Sequence, residues 1–495
     1  MVSRLFSATK CPPHIKTYFH LFIACVIFLI IFFGLSPING LTQDGVKLLA
    51  IVVPTIYMWL FINTHWVSLL FLASLALTGI MTPNEVWTGS LGHFSIMLVL
   101  TFSIMSECLS ENGVIQKIAT WFMTRKFIQG RPYAFIGMYF ASNLIIGIFM
   151  QNLALAVIFV TLTVQICERL DIQKGSSLYK CLMLGTFWGN GVLSIASPIA
   201  KTLPNILIGL VYTNFGIEIT YAQWLLVGIP FSAVMFVIIM LCIRLVNPDT
   251  TPLKNFNIET AKKDDVALGP KGRIALVGML LLILIILLPE ILLILSIFTG
   301  FAHYLSQLGP IIPAIVVLVL LSIIQVKEND QVSPVLDFVQ CTKKVPFTLL
   351  IFVASVVIMG VPMASDGTGF IPWLQTLLLP LTDHLLPFML LIALVLLAVI
   401  LTNFLSNTVV LTVFISLGTA IFTDHVIDPI VFSVIVAFAA CMTCLTPSAT
   451  ITAPLFYGPE HLKVKEVVGI NLLFLTLTTG LLIAMLPLVV AVVGN

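Results

Sequence analysis

The stretch NGVLSIASPIAKTLPNIL, residues 190–207, places Lys201, followed by Thr202, in the middle of a long apolar run. A charge inside such a run is costly and marks a substrate or ion pathway. Three polar clusters lie in similar surroundings. Gln151 and Asn152 fall near the middle of the apolar tract 132–168, and Thr402, Asn403, Ser406, Asn407 and Thr408 near the centre of 385–421. TCLTPSATITAP, which contains Thr450, interrupts the apolar run at 443–454. Hydroxyls, amides, carbonyls and helix N-termini can hold an ion or a carboxylate without neutralising it permanently, which permits release. The chemistry suggested is reversible binding.

Catalysis would need acids or histidines converging within the apolar segments. All eight histidines fall at or near segment ends, and Glu107 and Glu290 lie towards the edges of theirs. No phosphate-binding loop of the P-loop type occurs, so ATP-driven pumping by this chain is set aside with enzymatic activity. The nine cysteines are scattered, and the Cys441-x-x-Cys444 pair, inside an apolar segment with no histidine near, reads as small packing residues.

The elements that must hold these clusters follow from composition. The 495 residues are 59% hydrophobic and 9% charged, against about a quarter charged in soluble domains. A span needs roughly 20 apolar residues to cross a hydrocarbon core about 30 Å thick. That reads as an all-α polytopic membrane protein with about 11 transmembrane helices, the first retained rather than cleaved. The net charge of +2 gives no reason to expect a nucleic-acid partner; the lipid bilayer is the expected surrounding. The tracts 132–168 and 385–421 are too long for one ordinary span, and each polar centre suits the tip of a re-entrant hairpin, tolerated at depth only when buried in protein or lining a watery cavity.

The positive-inside bias orders the chain. With a cytoplasmic N-terminus and each long tract entering and leaving on the same side, every one of the 23 Lys and Arg residues except Lys47 and Lys201 falls on the cytoplasmic side. A single crossing by 132–168 would invert all later assignments. Lys201 is left within the membrane.

The halves correspond. IMLVLTFSIMSECLSENGVIQKIATWF (96–122) parallels LLIFVASVVIMGVPMASDGTGFIPWL (349–374), and each hairpin is followed by a helix interrupted by small and polar residues. The expected organisation is N-terminal scaffold helices over 1–80; a first inverted repeat over 81–245 with hairpin 132–168 and broken helix 181–210; a cytoplasmic linker over 246–273; and a second inverted repeat over 274–495 with hairpin 385–421 and broken helix 428–456. Two inverted-topology repeats with hairpin tips and broken helices at the midplane are the architecture expected of secondary transporters, and they suit one alternating site better than a continuous pore.

Ser406-Asn407-Thr408 at a hairpin tip, with TPSAT at 446–450 in a broken helix, resembles the divalent anion/sodium symporter (DASS) family, carriers of di- and tricarboxylates and sulfate. The resemblance covers nearly the whole chain. It implies a homodimer whose hairpins and broken helices move against a scaffold, in a plasma or bacterial inner membrane. It further implies one sodium site at Thr402, Leu405 (carbonyl), Asn407 and Ala449 (carbonyl), and an anion facing Ser406, Asn407, Thr408 and Thr450.

The first half departs from that pattern. Gln151, Asn152 and Leu153 stand where the family carries Ser, Asn and Thr, Gly147 replaces a serine, and Lys201 occupies a glycine position of the broken helix. Two readings follow. In one, Gln151, Asn152, Lys201 and Thr202 bind the anion, with the ammonium replacing the first sodium, so that coupling is confined to the second site or gives way to sodium-independent anion exchange, or Lys201 itself carries a proton. In the other, Lys201 snorkels along its stem to an interface or pairs with a nearby carbonyl, and the polar groups join helices together. Sulfate or another inorganic anion, arsenite, a citrate–metal complex or a C4-dicarboxylate remain alternative cargoes.

Overall fold

A computed structural model describes residues 13–254, 267–328, 331–345, 347–382, 386–421, 427–446, 450, 452–457 and 461–494. Helices account for most of these residues, and the sole sheet among them is an antiparallel pair, Gln325–Glu328 with Gln331–Pro334. The pair is followed by the short helix Phe338–Lys344.

Among the described residues, seven helices are long and apolar enough to cross a membrane, or up to nine if two bent helix pairs each count as one span. The shortfall against about eleven has a geometric cause. His65–Leu77, Ser177–Val192 and Pro429–Ala440 are only 13, 16 and 12 residues long; at about 1.5 Å per residue, such helices run short of a membrane's thickness, whereas Asn152–Arg169, an arm of the tract 132–168, is long enough to cross.

The chain divides into two compact units. One comprises the helices between 13 and 93 together with Phe347–Ala364 and Phe370–Thr382. Its connection at Gly40–Thr42 is tied to Thr368 by Thr42 N–H donating to Thr368 O at 3.1 Å and Thr42 Oγ1 donating to Gly367 O at 2.8 Å. Gly369 has φ +61°, and a Cβ there would stand 1.9 Å from Gly40 O, so only glycine fits. Trp59 meets Phe352 edge to face at 5.1 Å in the same unit's core.

The other unit holds both broken helices and nearly all of both hairpins. Its core is aromatic: Trp188 stacks on Phe474 with ring centroids 4.3 Å apart, and Phe438 lies between Trp224 and Phe231 at 5.4 and 4.9 Å. Local signals set its helices. Pro132 and Pro387 each open the first arm of a hairpin, where the missing N–H is harmless. Thr220 and Gln223 form a capping box that starts Tyr221–Val246. Ser176 caps Ser177–Val192, and Gly216, in left-handed conformation, closes Thr202–Phe215.

Candidate functional site

The two hairpins are alike in local detail. Pro132–Gly147 and Asn152–Arg169 are joined through residues 148–151, and Pro387–Thr402 and Asn407–Ile421 through 403–406, two tips with the same succession of turns. Asn152 and Asn407 each take the first helical position of the second arm. The carbonyl just before each, Gln151 O and Ser406 O, accepts the first helical hydrogen bond, from Leu155 N–H at 3.1 Å and Val410 N–H at 3.0 Å.

The first tip is bonded to the first break. Ser177–Val192 ends after Gly189-Asn190-Gly191, passes through a 3₁₀ turn at Leu193–Ala196 and restarts as Thr202–Phe215. Asn152 N–H donates to Ala200 O at 3.1 Å, and Asn190 Nδ2 donates to Asn152 O at 2.6 Å. Gln151 N–H donates to Ser106 Oγ at 3.0 Å. The break's backbone is satisfied from several sides: Trp224 Nε1 donates to Ile195 O at 2.8 Å, Ser232 Oγ to Leu193 O at 3.3 Å, and Asn205 Nδ2 to Pro198 O at 2.7 Å. Irregular backbone at depth persists only with such partners.

Lys201 is buried, with 6% exposure. Its ammonium donates to Gly191 O at 2.5 Å, at the carbonyl end of the first half-helix where the helix dipole favours a cation, and lies beside the Cys441 thiol of the second break. Thr202 begins the second half-helix and is half-buried.

The second tip is held by Asn403, a residue of the tip cluster to which the sequence reading assigned no role. Its Nδ2 donates to Val399 O and Met442 O at 2.8 and 2.9 Å, and its Oδ1 accepts from Cys444 N–H and Leu445 N–H, both at 2.9 Å. Its carbonyl accepts from Thr446 Oγ1 at 2.5 Å. Thr402 is buried and donates from Oγ1 to Ala440 O at 2.7 Å, with Asn407 Oδ1 3.2 Å from the same hydroxyl. Leu405, Ser406, Asn407, Thr408 and Thr450 are half-buried. Thr450 Oγ1 lies 3.5 Å from Thr452 Oγ1. Ala449, the last residue of the expected sodium site, lies outside the described residues.

The two breaks approach each other. A Cβ on Gly191 would stand 3.7 Å from Thr443 O, and Lys201 spans the same junction towards Cys441. A buried network adds a second link: Trp188 Nε1 donates to Asn471 Oδ1 at 2.9 Å, Asn471 Nδ2 donates to Tyr457 Oη at 2.7 Å, and Tyr457 Oη donates to Cys444 O at 2.7 Å. Gln151, Asn152, Lys201 and Thr202 thus gather at the first break, and Thr402, Leu405, Ser406, Asn407 and Thr408 at the second tip. Asn190, Asn403, Ser106 and Asn471 bind these parts together. An asparagine beside a break and one at a tip are the signals that could have singled out Asn190 and Asn403; Ser106 and Asn471 sit in apolar helices with no local mark.

Helical hairpins bonded to interrupted helices, in a chain of apolar spans, define a secondary transporter. The family model for citrate transporters matches residues 48–437, and the chain belongs to that family; it is a carrier and not an enzyme. A membrane protein of Cupriavidus necator is 22% identical over 296 residues, covering 54% of this chain and 56% of the relative, so the chain spans about half the length of the curated relative it matches. The crystal structure of the Alcanivorax borkumensis YdaH transporter, described as having an unusual topology, is similar in fold at 12% identity with a TM-score of 0.54, over 97% of this chain and 99% of that one. The resemblance to di- and tricarboxylate carriers is borne out at the level of family and fold.

Proposed function

We propose that the protein carries citrate and related di- and tricarboxylates across a plasma or bacterial inner membrane by alternating access. The N-terminus is cytoplasmic in this reading, and the working form is a homodimer. The single observation that carries the proposal is the bonding of each hairpin tip to a helix break, Asn152 to Ala200 and Asn403 to Met442 and Cys444. Such junctions expose half-helix ends and unwound backbone at depth, the chemistry that holds anionic substrates and their coupling cations in transporters.

In this reading Ser406, Asn407, Thr408 and Thr450 hold one end of the anion through hydroxyl and amide donors, and Gln151, Asn152 and Thr202 face the other. Sodium is the co-substrate, bound at the second tip by Thr402 Oγ1, Leu405 O, Asn407 Oδ1 and Ala449 O. The 3.2 Å separation of Thr402 Oγ1 and Asn407 Oδ1 supports this, since two hard oxygens that close can share one cation. The paired arms and breaks recurring in both halves support two inverted-topology repeats with re-entrant hairpins.

Uptake of labelled citrate into proteoliposomes, with succinate, malate and sulfate as competitors and with or without a sodium gradient, tests the proposal. Uptake competed by dicarboxylates and stimulated by sodium, whether net or in exchange for internal anion, is expected. Uptake competed only by sulfate would reject the carboxylate assignment, and uptake indifferent to sodium would reject the second-tip cation site.

A further inference from the structure

Among the described residues, Lys201 is the only buried side chain with a formal charge, and no Asp or Glu pairs with it there. An ammonium offers three N–H donors. Gly191 O and the Cys441 sulfur meet it, and neither bears a full negative charge. A buried ion is tolerated when paired and is costly when its partner is absent. The carbonyl end of a half-helix supplies only a partial opposite charge.

The surroundings are also incompletely satisfied. Among the described residues, Gln151 Nε2, Asn190 Oδ1 and Thr443 Oγ1 are buried without a hydrogen-bond partner, although buried polar groups are paired as a rule. All three belong to this junction: Asn190 adjoins Gly191, Gln151 adjoins Asn152, and Asn152 is bonded to both Asn190 and Ala200. Thr443 presents its carbonyl towards Gly191. A cation without an anion and two donors without acceptors, Gln151 Nε2 and Thr443 Oγ1, are the complement of a carboxylate, whereas Asn190 Oδ1 is an acceptor and calls for a donor instead.

We propose that Lys201 is a built-in countercharge: it pairs with a carboxylate of the bound anion at the contact between the first hairpin tip and the two breaks, and this makes the protein an anion exchanger. The inference rests on the carrier reading above and deepens it. With substrate bound, the ammonium is neutralised and the loaded carrier reorients. Without substrate, the charge has only partial compensation, so return of the empty carrier is slow. Exchange of internal for external anion avoids that step.

The test compares uptake of labelled citrate into wild-type proteoliposomes that are empty with uptake into vesicles loaded with unlabelled citrate, both at the same sodium concentration on the two sides. Exchange should exceed net uptake by about tenfold or more, a ratio equivalent to about 1.4 kcal/mol between the empty and loaded transitions. Lys201→Met should lose citrate affinity and bring the two rates together, while Lys201→Arg should keep the wild-type ratio. Equal rates in the wild type would overturn the proposal without any variant and leave the carrier reading intact. Absence of citrate flux in every vesicle would overturn the carrier reading and this inference with it. If Lys201→Met proves unstable in detergent, the wild-type ratio decides alone. If it is stable and retains the wild-type ratio and affinity, Lys201 serves only as a cap on the first half-helix.

Discussion

Trp188, on the first broken helix, donates its indole N–H to Asn471 Oδ1 at 2.9 Å, and Asn471 passes the connection through Tyr457 to the carbonyl of Cys444 in the second break. One buried asparagine therefore ties the half-helix that ends near Lys201 to the backbone beside the second tip. The amide uses both its donor and its acceptor side, so an apolar replacement orphans the Trp188 N–H and removes the donor to Tyr457 Oη, which keeps its bond to Cys444 O.

Asn471→Leu is expected to lower stability by about 1–3 kcal/mol, the penalty for leaving buried polar groups unpaired. A cycle combining it with Trp188→Phe should show coupling of about 0.5–3 kcal/mol, read from thermal unfolding in detergent. Strictly additive effects would show that the two residues act independently.

Asn403→Ala should be more severe. It strands the N–H groups of Cys444 and Leu445, which both donate to Asn403 Oδ1, at about 1–3 kcal/mol for each orphaned group. Transport should fall with stability, because the same amide sets the second tip against the second break. Normal citrate affinity in a folded Asn403→Ala variant would contradict that placement.

Gly228 lies against the first break from the neighbouring helix Tyr221–Val246, and a Cβ there would stand 2.6 Å from Ala196 O and 2.9 Å from Ala196 Cα. The obstacle is backbone, which cannot swing aside as a side chain can. Gly228→Ala should therefore destabilise by about 1–3 kcal/mol and slow transport by displacing residues 193–196. A variant with unchanged melting temperature and rate would mean that the helices separate freely at this point.

At the surface, Thr82 N–H and Oγ1 both donate to Glu85 Oε2, at 2.8 and 2.9 Å. The backbone bond first, and the hydroxyl second, hold the Glu85 carboxyl below its ordinary value. A carboxylate whose folded pKa is depressed stabilises the fold above its unfolded value and loses that contribution as pH falls through the folded one. Acidification should weaken the Pro83–Gly89 cap, and Glu85→Gln should remove this part of the pH dependence; an identical acid profile in the variant would exclude Glu85 as its source. Exposure keeps the effect small.

Membrane residence, the polar interruptions of the long apolar tracts, and the carrier class were legible in the sequence because they depend on local quantities: apolar run length and the placement of polar residues within it. Lys201 could be recognised as anomalous for the same reason, since a charge among apolar neighbours is visible without coordinates. Its partners were not legible. Gly191 lies ten residues away across a helix break, and Cys441 reaches it from the other half of the chain. The roles of Asn403 and Asn471 were hidden likewise, because a hydrogen bond between distant segments leaves no periodic signal in either. Run length and charge placement are summed along the chain, whereas whether a buried polar group is paired or orphaned is decided only when remote backbone and side chains are brought within about 3 Å of it.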